Sequence, residues 1–221
     1  MKTKTVLLYS GGLDSYITGF LFRNDIDVVL YVDLNTTYSE KERKVVTDLP
    51  ILFHETEIYS TVNMKDLEDT KSFFVPCRNL ILSIFASHYG NKILLGGLKE
   101  DRVVDNHKGA FKDFSEIVSI YGEKPVTVIS PIRNFTKTEL VKEYFDRGGQ
   151  LSELWRTTSC YDKKELYCGR CNSCFRKFVA FKNNKIKIEF YNDKLLDAYK
   201  TKAKNKEFIP QRNKEILRAL K

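Results

Sequence analysis

Residues 7–18 read LLYSGGLDSYIT, with two glycines set between serines and an aspartate directly after an apolar run. Thr5–Tyr9 (TVLLY) is continuous in apolar character, as buried parallel strands are. Asp14–Arg23 then brings Ile17, Phe20 and Leu21 to one face of a helix. Ser10, Gly11, Gly12, Leu13, Asp14 and Ser15 therefore lie where a first strand hands over to a first helix. Backbone N–H groups at a helix start are unpaired and carry the positive end of the dipole, so an anion belongs there. The glycines let the backbone turn tightly and approach a phosphate, the serine hydroxyls add donors, and Asp14 can hold a magnesium ion or cap the helix. Neither G-x-x-x-x-G-K-[ST] nor G-x-G-x-x-G is present, which excludes a Walker loop and a dinucleotide fingerprint. The bland alternative is a capped helix after a tight turn that binds nothing.

The same alternation continues outward from this turn. Asp27–Val32, Ile51–Glu55, Lys92–Leu95 and Val126–Ile129 read as further buried strands. Helical patterns lie between them at Glu40–Leu49 and Arg78–Tyr89, and Thr138–Arg147 follows a Thr136 cap with Glu139 placed for a capping box and Gly148–Gly149 as its stop. This βαβα order predicts an α/β fold with a doubly wound, mainly parallel sheet and a ligand at the carboxyl ends of the strands. Residues 1–151 form the expected ATP-binding domain. Residues 152–221 form a metal-binding, helical C-terminal region: a helix, a short strand around Ile186–Phe190, and two helices divided near Pro210.

Bulk properties fit one domain with a small appendage, since 221 residues suffice for a sizeable core. Hydrophobic content of 42% beside 30% charge is that of a folded globular chain. The net charge of +8 suits a nucleic-acid partner, but the lysines are spread along the chain and densest after Lys182, which favours a solvated basic surface that would also attract ATP. No run approaches the roughly 18 apolar residues of a membrane span, and the first residues enter a strand at once, so a cytoplasmic protein is expected.

Of five cysteines, Cys77 stands alone, while Cys160, Cys168, Cys171 and Cys174 crowd together in a C-x7-C-x2-C-x2-C pattern. Four thiolates complete a tetrahedral zinc site and leave no position for catalysis. An iron–sulfur cluster takes four thiolates as well, and the residues alone leave that choice open. Gly169 gives the CGRC turn the freedom to fold around a metal.

SGGLDS resembles the pyrophosphate loop of the N-type ATP pyrophosphatases, which adenylate a carboxylate or carbonyl and release pyrophosphate. Loop and cysteines together resemble the 7-cyano-7-deazaguanine synthase family, with SGGxDS near the start and C…CGxCxxC near the end. FVPCRN (74–79) is similar to the family's FVPGRN, ILLGGLKED (93–101) to its strand, glycine and acidic turn, and Ser159-Cys160-Tyr161 to its TCY. The resemblance runs from about Lys4 to Phe181. It implies an adenine nucleotide alpha hydrolase-like fold, ATP and Mg2+ at Ser10–Ser15, and Zn2+ at the four cysteines. It also implies adenylation of 7-carboxy-7-deazaguanine, displacement of AMP by ammonia to give the amide, and dehydration with a second ATP to the nitrile. Asp14, Ser15 and Arg78 would then be catalytic, with Arg78 facing phosphate or the substrate carboxylate, and Glu100, Asp101 and Asp105 facing the heterocycle's amino edge. Together with the aromatic run Phe175, Phe178, Phe181, it makes a homodimer reasonable.

Departures bear on the product. Cys77 stands where the family has glycine, and EDRVVDNHKGAFKDFS (100–115) lacks the family's Gly-Tyr-Pro and Cys-Arg elements and reads as a substrate loop containing His107. Two alternatives stay open on these residues: an enzyme that stops at the amide or conjugates the activated acid to a protein or nucleic-acid amine, and a tRNA-modifying adenylating enzyme.

Overall fold

The computed structural model describes residues 3–51, 56–59, 62–70 and 72–221. Five parallel strands, β1 (Thr5–Leu8), β2 (Val28–Val32), β3 (Thr56–Tyr59), β4 (Lys92–Leu94) and β5 (Thr127–Ile129), form one sheet in the order β3-β2-β1-β4-β5. The helices are α1 (Leu13–Leu21), α2 (Ser39–Asp48), α3 (Arg78–Ser87), α4 (Lys108–Tyr121), α5 (Lys137–Asp146), α6 (Leu151–Arg156), α7 (Asn172–Asn183), α8 (Asp193–Lys204) and α9 (Pro210–Ala219).

Period-two alternation divides the strand residues between two buried layers. Leu7, Tyr9, Val29, Tyr31 and Leu94 face α1, α2, α5 and the C-terminal helices, while Val6, Leu8, Val28, Leu30, Ile93 and Val128 face α3 and α4. Helices on both faces are why the strands read as unbroken apolar runs. The C-terminal helices add Phe175, Phe178, Phe181 and Ile216 to the first layer, so their apolar residues and those of the sheet make one continuous core.

The chain extends the sheet from β1 through β2 to β3, then crosses back to place β4 on the other side of β1. The reversal opens a crevice between the carboxyl ends of β1 and β4. A Cβ added at Gly96, just past β4, would meet the Ser15 nitrogen at 3.3 Å, so the end of β4 lies close against the first turn of α1.

Helix α6 was not expected from the sequence, and three expected segments differ in the structure. EDRVVDNHKGAFKDFS, read as a loop, enters α4 at Lys108, and His107 caps that helix by accepting the Ala110 N–H at 3.1 Å. Its apolar residues Phe111, Phe114 and Val118 recur at helical spacing and pack on the sheet. Ile186–Phe190 is no strand: Ile188 and Phe190 do turn inward while Lys187 and Glu189 face out, but the segment crosses the aromatic face of α7 and joins no ladder. Of the strand expected over Ile51–Glu55, residues 52–55 lie outside the described residues, Ile51 is a buried loop residue, and β3 begins at Thr56.

Candidate active site

The turn after β1 has the form its residues suggest. Gly11 takes φ +68°, a left-handed conformation, and a Cβ on it would sit 2.6 Å from Val45 Cγ1, so both backbone and neighbour require glycine. Gly12 caps α1 without a side-chain bond, leaving the first N–H groups of the helix for a ligand. Ser15 Oγ donates to the Gly12 carbonyl at 3.1 Å and lies 3.3 Å from Ser10 Oγ, which holds both hydroxyls beside the turn. Leu13 is fully buried and anchors α1 to the core.

A distant segment closes the turn. Gly12 and Thr158 form a parallel bridge, in which Thr158 donates its N–H to the Gly11 carbonyl at 2.9 Å. The segment 157–161 therefore lies alongside the phosphate loop just before the first clustered cysteine. Lys41, buried on α2, reinforces the junction: its ammonium donates to the carbonyls of Cys160 (2.6 Å), Asp162 and Glu165 (3.2 Å). Lysine fits because three convergent carbonyls demand three donors.

Between these elements lies a cavity of about 300 Å3. It is lined by Ser10, Gly12, Leu13, Asp14, Ser15, Arg78, Asp101, Ser159, Cys160 and Tyr161 among the residues singled out in the sequence, and by Lys137, Arg176, Glu42 and Tyr38, which were not. Lys137 follows the Thr136 cap of α5, whose capping box with Glu139 forms as expected. Its Nζ lies 2.7 Å from each carboxylate oxygen of Asp14. Arg176, one turn into α7, donates through Nη2 to Asp101 Oδ1 at 2.6 Å, with Glu100 Oε1 at 3.4 Å. Burial opposes the Arg176 charge, but Asp101, Glu100 and Asp14 outweigh it and raise its pKa.

The three acids expected at a substrate edge are otherwise engaged. Asp101 Oδ2 accepts the Leu98 N–H (2.7 Å) and Asn106 Nδ2 (2.6 Å), which fixes the turn after β4. Glu100 is buried against Arg176 and Arg212, beside the cavity's wall. Asp105 accepts the Asn79 N–H at 3.1 Å and so covers the N-terminus of α3. Arg78, at the start of that helix, donates to the Tyr38 hydroxyl at 3.1 Å. Burial opposes its charge as well, and Tyr38, Glu42 and Asp105 more than compensate, so its pKa is raised. Asp14 is thus among the charges acting on Arg176, and Glu42 among those acting on Arg78, which distinguishes two ends of the cavity.

Cys77, the residue before Arg78, is exposed and adopts φ +56°, ψ +20° as the cap of α3. That left-handed conformation suits glycine best, so a cysteine there carries a backbone cost.

The four clustered cysteines converge, with all four sulfurs within 4.8 Å of one another. Cys160 Sγ is 4.0 Å from Cys171 Sγ, and Cys168 Sγ is 3.8 Å from Cys174 Sγ. Thiolates around one tetrahedral zinc at about 2.3 Å would be about 3.8 Å apart, so the donor set fits such an ion. Backbone N–H groups of Asp162, Arg170 and Cys174 point at three of the sulfurs, at 3.3, 3.4 and 3.4 Å, and stabilise thiolate charge. Gly169 takes φ +65° inside the CGRC turn, and a Cβ there would sit 2.7 Å from the Tyr191 ring.

Lys137, Arg176, Lys41 and Glu42 were missed by sequence reading. The only signals were position: Lys137 directly after a cap, and Arg176 two residues after the last clustered cysteine.

A family model described as queuosine biosynthesis protein QueC matches residues 50–185, more than half of the chain. The 7-cyano-7-deazaguanine synthase of Methanosphaera stadtmanae is 26% identical over 216 residues, covering 82% of this chain and 94% of that protein. That of Rickettsia conorii is 28% identical over 225 residues, covering 84% and 97%. The synthase of Sulfolobus acidocaldarius is 27% identical over 220 residues, covering 84% of this chain but 47% of that longer protein. With the family match running from before β3 through the four clustered cysteines to the end of α7, the chain belongs to the QueC family.

Proposed function

We propose that the chain is an ATP-dependent 7-cyano-7-deazaguanine synthase. The observation that carries the reading is the meeting of the glycine turn, the Lys137–Asp14 pair and the cysteine-bearing segment at one cavity of nucleotide size. Ser10, Gly11, Gly12, Leu13 and Ser15 hold the ATP phosphates through backbone N–H groups and hydroxyls. Asp14 would hold Mg2+, whose charge would neutralise the phosphates and leave Lys137 able to donate to them. Residues 1–151 carry the nucleotide, and residues 152–221 carry the metal and complete the floor.

A carboxylate is inert to ammonia until an oxygen becomes a leaving group, so the chemistry is positioning and charge stabilisation. The carboxylate of 7-carboxy-7-deazaguanine attacks the ATP α-phosphorus and pyrophosphate leaves. Ammonia displaces AMP to give the amide, whose oxygen is adenylated by a second ATP, and loss of AMP and protons leaves the nitrile. Arg176 and Lys137, at the Asp14 end, steady the developing phosphate charge, and Arg78 faces the bound heterocycle. Cys160, Cys168, Cys171 and Cys174 hold Zn2+, which is structural because all four positions are protein ligands. The close sulfur spacing supports a single ion over a cluster, whose cysteines bind separate irons and spread wider.

The test is to incubate the chain with ATP, magnesium, ammonium and 7-carboxy-7-deazaguanine and follow the deazaguanine's mass. Conversion to the nitrile is expected. An amide end product, a conjugate or no change would overturn the assignment.

A further inference from the structure

Three carboxylates among the described residues line the cavity: Asp14, Asp101 and Glu42. Both oxygens of Asp14 are held by Lys137, and Asp101 is saturated by Leu98 N–H, Asn106 and Arg176. Glu42 differs. Its Oε2 accepts one long bond from the Tyr31 hydroxyl at 3.3 Å, and Oε1 has no hydrogen-bond partner among the described residues. Burial pushes its carboxyl up to about 7 against the pull of nearby Arg78 and of the Tyr31 bond.

The neighbours of Glu42 suit a flat, polar heterocycle. Tyr38 and Tyr161 both line the cavity with ring centroids 6.5 Å apart, and Arg78 donates to the Tyr38 hydroxyl. A 7-deazaguanine carries two adjacent donors on one edge, the ring N1–H and the exocyclic amino group, with a carbonyl oxygen beside them. A carboxylate accepts both donors at once, and a neighbouring guanidinium can donate to the oxygen. Adenine offers one donor next to a bare ring nitrogen on the corresponding edge, which a carboxylate would repel.

We propose that Glu42 reads the N1–H and amino edge of the deazaguanine, with Arg78 beside it on the ring carbonyl. The assignment rests on the synthase reading above and moves the recognition of that edge from the acidic turn after β4 to α2.

The experiment compares wild type and Glu42→Gln, both as the full metal-bound chain. It measures kcat and KM for 7-carboxy-7-deazaguanine, for its analogue lacking the exocyclic amino group, and for ATP. Glu42→Gln raises KM for the deazaguanine about 10- to 100-fold, the value of hydrogen bonds to a charged group. KM for ATP stays within about 2-fold, and the variant discriminates less between substrate and analogue than wild type does. A thermal melt checks that the variant is folded. If it is not, Glu42→Asp, which keeps the charge and shortens the reach, is measured in its place with the same expected outcome, and wild type accepting both compounds alike overturns the proposal. An unchanged KM with an active wild type, or a rise confined to ATP, overturns Glu42 and leaves the synthase standing. Failure of wild type to turn over the deazaguanine overturns both.

Discussion

The ammonium of Lys137 lies 2.7 Å from each carboxylate oxygen of Asp14, so the acid of the glycine turn is paired to a helix that begins more than a hundred residues later in the chain. Lys137→Ala removes this partner and, on the function proposed above, a donor to the phosphates. The expected result is a kcat about 100- to 1,000-fold lower in pyrophosphate release. The urea midpoint should also fall by the equivalent of about 1–3 kcal/mol, because Asp14 is left without its donor. An unchanged kcat would make the pair purely structural.

Gly11 and Gly148 separate two costs of a side chain. Both have positive φ, but a Cβ at Gly11 meets Val45 at 2.6 Å, whereas one at Gly148 meets nothing within 4 Å. Gly148→Ala should cost about 1 kcal/mol from backbone strain alone. Gly11→Ala should cost about 2–4 kcal/mol, since overpacking adds to that strain. Equal losses in urea titrations would refute the contact.

The left-handed cap at Cys77 predicts the opposite sign. Cys77→Gly relieves the Cβ strain and should raise stability by about 0.5–1 kcal/mol with turnover unchanged. A large loss of activity in that variant would instead give the thiol a chemical role.

Metal removal can be read from the thiols. Of the five cysteines, Cys77 is exposed outside the cluster, so the metal-bound chain should react promptly with a thiol reagent at one position. After chelation all five should react and the melting temperature should drop. Lys41→Met, which strips three carbonyls in the Cys160–Glu165 loop of their donor, should weaken zinc about 10- to 100-fold in competition with a chromophoric chelator. Unaltered zinc affinity would show that the cysteines need no help from α2.

The Glu42 carboxyl, held at about 7 when folded against 4.5 unperturbed, sets a pH dependence. Between those values the folded chain keeps a proton that the unfolded chain has lost, so this group's contribution to stability falls as pH rises through the window. Glu42→Gln abolishes it. The melting temperature of the variant relative to wild type should therefore climb between about pH 5 and pH 8. A flat difference would mean that the carboxyl is not buried.

What could be read from sequence had local causes. The glycine turn, the Thr136 capping box, the apolar runs of the strands and the cysteine spacing each depend on residues close together in the chain. α4 escaped because its start, with polar residues and Gly109 near the cap, reads as a loop until Phe111, Phe114 and Val118 are given a sheet to pack on. Ile186–Phe190 misled for a related reason: alternation reports which side is buried, and a segment lying on α7 satisfies it as well as a ladder does. Lys137, Arg176, Lys41 and Glu42 acquire their roles only where distant segments converge, and no spacing rule encodes that.

The bridge between Gly12 and Thr158 also orders events during synthesis. Translation at about 5–20 residues per second leaves roughly 7 to 30 seconds between the emergence of the two residues. Through that interval the glycine turn has no partner strand, Lys41 has no carbonyls to hold, and Asp14 gains Lys137 only late. A ribosome-bound fragment ending before Thr158 should therefore bind ATP more weakly than the full chain, and full affinity should arrive as the cysteine segment leaves the exit tunnel.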